Sequence, residues 1–108
     1  MISYHIETAE NKFSKVNLSG DVRQILNLLD CEAYKEIDLN NGDVLLIDRH
    51  GLLSANSFTK FFELDNFLPQ PGNGLILGKN FSDAQNPIES YNVKYHNVYD
   101  LQEVFEYD

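Results

Sequence analysis

Residues 34–53 read Tyr-Lys-Glu-Ile-Asp-Leu-Asn-Asn-Gly-Asp-Val-Leu-Leu-Ile-Asp-Arg-His-Gly-Leu-Leu. This stretch predicts three consecutive antiparallel strands joined by two tight turns. Asn41-Gly42 stands between two apolar runs, and Asn-Gly is the strongest short-range hairpin signal because both central residues of a type I′ turn need positive φ. Arg49-His50-Gly51 supplies a looser second turn, with Gly51 free to take a left-handed position. Val44-Leu45-Leu46-Ile47, the middle strand, is apolar on both faces and must therefore be covered on both.

Outward from that stretch the chain alternates short strands and short helices. Ile2, Tyr4 and Ile6 alternate with Ser3, His5 and Glu7, which predicts a first strand with one solvated face. Glu10-Asn11-Lys12 turns the chain, and residues 13–18 return as a second strand. Ser19 is the expected cap of a helix whose apolar residues Val22, Ile25, Leu26 and Leu29 repeat at helical spacing. Phe58, Phe61 and Phe62 suit a further helical turn capped by Ser57. Residues 69–74, with two Pro and two Gly, read as a connector without strand. Leu75-Ile76-Leu77 is a short apolar strand, and residues 79–87 a polar loop. Tyr91, Val93 and Tyr95 mark a last strand. Asn97 caps an expected closing helix with Val98, Leu101, Val104 and Phe105 as its stripe. The sum is one α+β domain over residues 1–108, a mainly antiparallel sheet with two or three short helices.

Composition bounds the function. The 108 residues carry 17 Asp and Glu against 8 Lys and Arg, a net charge of −9. Such a charge opposes nucleic acid and anionic lipid, and the cations are scattered from Lys12 to Lys94 without a basic patch, so no direct nucleic-acid or membrane partner is expected. The single cysteine, Cys31, excludes an internal disulfide and a cysteine zinc site. The N-terminus has no apolar core of a signal peptide, and apolar runs reach only four or five residues, which leads to the expectation of a soluble, cytoplasmic protein.

Three constellations invite chemistry and none completes it. Gly72-Asn73-Gly74 followed by Gly78-Lys79-Asn80 lacks the spacing and the hydroxyl of a phosphate loop. His5, His50 and His96 share no metal-ligand spacing, so neither a metal nor a cofactor is expected. Asp48-Arg49-His50 could offer a general base with an orienting carboxylate, but no nucleophile or second carboxylate cluster accompanies it, and an exposed turn is the simpler reading. The terminal segment is more suggestive. Asp100, Glu103 and Glu106 recur every third residue, with Asp108 beyond, and no cation follows Lys94. They form a candidate face for a basic partner, against the alternative of an ordinary solvated helix face. Phe61 and Phe62, within the cluster Phe58–Phe67, are candidates for an apolar patch that binds a partner or a second copy, against the alternative of core.

The helix followed by Tyr34-Lys35-Glu36-Ile37-Asp38-Leu39, the turn Asp48-Arg49-His50-Gly51, Asn56, and Gly72 to Gly78 together resemble a small family of phages, plasmids and their hosts, the domain of unknown function thirty-eight forty-six. The likeness covers residues 20–80 and brings no catalytic residues. It implies an accessory protein of a mobile genetic element. The sequence thus leads to the expectation of a small acidic, non-enzymatic interaction protein that inhibits a host protein with a basic surface. The alternative is a small-molecule-binding module with a pocket between the sheet and the 58–67 segment.

Overall fold

A computed structural model describes residues 1–56 and 58–97. It is α+β, with two antiparallel sheets. The strands are β1 (Ile2–Glu7), β2 (Lys12–Asn17), β3 (Tyr34–Asp38), β4 (Asp43–Asp48), β5 (Lys60–Leu64), β6 (Gln70–Pro71), β7 (Gly74–Gly78) and β8 (Val93–Asn97). The helices are α1 (Val22–Leu29) and the single turn α2 (Gly51–Ser54). The larger sheet runs β2-β1-β7-β4-β3 and the smaller β6-β5-β8.

As its apolar run demands, β4 is buried on both faces. Val44 and Leu46 join Leu18, Leu75, Leu77 and, from α1, Ile25 and Leu29. Leu45 and Ile47 face the other way, with Tyr4, Ile6, Ile76 and, from the small sheet, Phe62 and Leu64. The molecule is therefore three layers, α1, large sheet and small sheet, with β4 inside. The neighbours of β4 are β3 and β7; only the first is a hairpin partner.

Several elements differ from expectation for local reasons. The turn after β3 is longer than a two-residue hairpin: Asn40 (φ 62°) and Gly42 (φ 96°) take the left-handed positions, and Leu39 N–H donates to the Asp43 carbonyl at 3.1 Å. Asn41 instead spends its side chain, accepting from Asp43 N–H at 3.0 Å and donating to the Tyr91 hydroxyl at 3.0 Å. The turn after β4 leads not into a paired strand but into α2. The Asp48 carboxylate accepts from His50 N–H at 2.9 Å, which turns the chain into α2, since Asp side chains compete for nearby amides in this way. Asp21, not Ser19, caps α1 by accepting from Arg23 N–H at 2.9 Å. Residues 60–64 are strand rather than helix, and the 69–74 connector contains β6.

The polar side of β1 is not solvated. Ser3 and His5 are buried beneath α1, and His5 Nε2–H donates to the Leu28 carbonyl at 2.7 Å. Gly74 lets the sheets close: a Cβ there would lie 2.7 Å from the Phe62 ring and 3.2 Å from Leu45. The expected closing helix over 98–105 and the Ser57 cap lie outside the described residues.

Candidate functional site

The seam between the two sheets does not fill. Ile37 of β3 and Leu45 of β4 form one wall; Phe62 and Leu64 of β5 form the other; Phe67, Leu68 and Gln70 close the end. Together they bound an apolar cavity of about 230 Å³. Its cause is local. β3 is the edge of the large sheet and holds Ile37 only half-buried, while the chain leaves β5 through Asp65 at φ 50° before returning as the two-residue β6. Between those points only Phe67 and Leu68, among the described residues, line the seam's end. Gln70 is the one polar lining residue among those described. Its amide donates to the Leu68 carbonyl at 3.3 Å, and its carbonyl oxygen accepts from no described residue.

A second, polar cleft of about 310 Å³ opens at the C-terminal end of α1, lined by Thr8, Asp30, Asp48, Phe58, Lys60 and Asn73 among others. Three of its side chains donate within the protein. The Thr8 hydroxyl donates to the Gly72 carbonyl at 2.5 Å, Asn73 Nδ2 donates to the Leu28 carbonyl at 3.1 Å, and the Lys60 ammonium donates to Asn11 Oδ1. The nearby Cys31 thiol is pushed above its ordinary pKa, chiefly by burial and then by Asp48, so it is no ready thiolate. Among the described residues, no three His, Cys, Asp or Glu side chains gather where a metal could sit.

Among the described residues, the one buried carboxylate is Asp43, fully enclosed at the start of β4. Gln85 N–H donates to it at 2.6 Å, Asn86 N–H at 3.2 Å, the Asn86 amide at 2.9 Å and the Tyr91 hydroxyl at 2.5 Å. The Tyr4 hydroxyl donates to the Asn86 carbonyl at 2.6 Å, so the 79–90 loop is tied to both β1 and β4. Burial first, then Asp43, push the Tyr91 phenol far above its ordinary pKa, and it stays a donor. With its acceptor sites met by neutral donors and no water contact, Asp43 anchors a loop rather than serving a reaction.

The residues singled out from the sequence separate. Phe61 and Phe62, on β5, are 5% and 0% exposed. Phe62 reaches the cavity. From the same aromatic cluster the exposed members are Phe58 and Leu68, with Leu52 and Leu53 on α2. His50 caps α2 through its backbone, with no side-chain hydrogen bond there. Asp100, Glu103, Glu106 and Asp108 lie outside the described residues. Sequence reasoning overlooked Asp43 and Gln70. A charged residue opening an otherwise apolar buried strand was the available signal for Asp43; Gln70 had none.

No helix among the described residues is long and apolar enough to cross a membrane. No family model, curated protein or solved structure matches the chain.

Proposed function

We propose that this chain is a small acidic, non-enzymatic binding protein whose recognition element is the apolar cavity between its two sheets. The observation that carries the reading is the cavity's lining. Six apolar side chains and one amide surround about 230 Å³, and none of them titrates or attacks, so the site suits holding a ligand rather than transforming it. An apolar enclosure of about 150 Å³ lined by Leu, Ile and Phe stays dry and takes up benzene. This one is larger and its walls are mainly apolar, which favours a small apolar ligand.

The test is thermal unfolding against a panel of one- and two-ring aromatic compounds. A ligand at about one hundred times its dissociation constant adds about 2.7 kcal/mol to stability by linkage. Ile37→Phe, which puts a ring into the cavity from β3, is expected to abolish the ligand's effect while the variant stays folded. No stabilisation by any compound, or an equal response in Ile37→Phe, would sink the reading.

A second reading is favoured by the surface. Leu52, Leu53, Phe58 and Leu68 are exposed on a chain of net charge −9. That combination suits a protein partner with a basic surface, as for an inhibitor of a host protein carried by a mobile element. Steering by charge predicts an association rate that falls steeply with salt. Replacing Leu52, Leu53 and Phe58 with Asn should release such a partner; salt-independent capture that survives the replacement would count against it.

A further inference from the structure

We infer that the inter-sheet cavity selects an aromatic ring bearing one hydrogen-bond donor, an indole- or phenol-like group, with Gln70 as the residue that sets this specificity. The inference rests on reading the cavity as a binding site and adds the ligand's chemical class.

Two rings, Phe62 and Phe67, line the cavity with Ile37, Leu45, Leu64 and Leu68. Aromatic pairs gain from edge-to-face and offset contacts beyond the area they bury, so these walls favour a ring over a chain of equal volume. At about 230 Å³ the cavity exceeds the benzene-sized case of about 150 Å³ and leaves room for a second ring or a substituent.

The polar contribution comes from Gln70 alone. A side-chain amide offers two donors and an oxygen with two lone pairs. One donor is committed to the Leu68 carbonyl at 3.3 Å, which holds the amide in place. The oxygen accepts nothing among the described residues, so the larger unspent capacity is for acceptance. A ligand N–H or O–H meets it. A ligand offering only an acceptor makes no hydrogen bond to that oxygen and forgoes its net contribution. Charged ligands are rejected because the lining has no ion to pair with them.

The experiment is calorimetric titration of the intact protein with indole and with benzofuran, rings of one shape that differ in an N–H against an oxygen. The wild-type chain is expected to bind indole about fivefold more tightly, the worth of one net hydrogen bond. In Gln70→Leu the two affinities should converge, through loss on the indole side, with benzofuran binding retained as the check that the cavity is intact. Equal affinities in the wild type would overturn donor selection while leaving the cavity a binding site. An indole preference that persists in Gln70→Leu would overturn the role of Gln70. Binding of neither compound would overturn both the inference and the reading beneath it.

Discussion

Two residues show how much single side chains decide in this protein. Tyr91 gives its hydroxyl to the enclosed Asp43. Tyr91→Phe would leave that carboxylate one donor short, and the expected cost is about 1–3 kcal/mol, read from denaturant unfolding. The same contact gives a pH dependence. Burial and Asp43 raise the Tyr91 phenol above its ordinary 10.0, so the folded state holds this proton more tightly than the unfolded chain does. Its contribution is intact below pH 10.0 and is lost as pH rises beyond it. Stability should therefore fall through the alkaline range, and the part of the fall due to Tyr91 should vanish in Tyr91→Phe; an unchanged alkaline slope would contradict the assignment. Gly74 acts through absence of bulk. Gly74→Ala would set a methyl 2.7 Å from the Phe62 ring, an overpacking worth about 1–3 kcal/mol, and Phe62→Leu in the same chain should recover part of it.

At the scale of elements, α1 is held by a cap and a stripe. Asp21→Ala removes the acceptor for Arg23 N–H and should cost about 1 kcal/mol, with Asp21→Asn nearly neutral, in thermal or urea unfolding. Much at this scale was legible. The buried β4, the alternation of β1, Ile25 and Leu29 of the α1 stripe and the apolar β7 follow from periodicity that tertiary packing merely completes, while Val22 of that stripe stands exposed. The failures have one physical source. Phe58, Phe61 and Phe62 fall at i, i+3 and i+4, which a helix would use, yet β5 is fixed by pairing with β6 and with β8, the latter about thirty residues further along the chain. Periodicity reports local geometry and is silent about such partners. The hairpin that was expected to follow β4 failed for a reason nearer at hand, since Asp48 takes the His50 amide and starts a helical turn. Ser3 and His5 looked solvent-facing because polarity alone does not reveal that α1 will cross above them.

At the scale of the molecule, the proposed binding site follows from how the layers meet. The α1 side of the large sheet packs shut, with Val44, Leu46, Leu75 and Leu77 buried. The opposite side is closed by a smaller sheet that covers it incompletely, and the cavity is what remains. Its existence was partly legible, as a pocket between the sheet and the 58–67 segment. Its lining was not, because Ile37 and Gln70 reach it from edge strands of two different sheets, and how the sheets face each other leaves no mark on local periodicity. The most direct measurement is a spectrum of methyl-labelled protein titrated with benzene. The account predicts saturable shifts at the methyls of Ile37, Leu45, Leu64 and Leu68, with those of Leu52 and Leu53 unmoved. Shifts confined to Leu52 and Leu53, or no saturable shift at all, would contradict it.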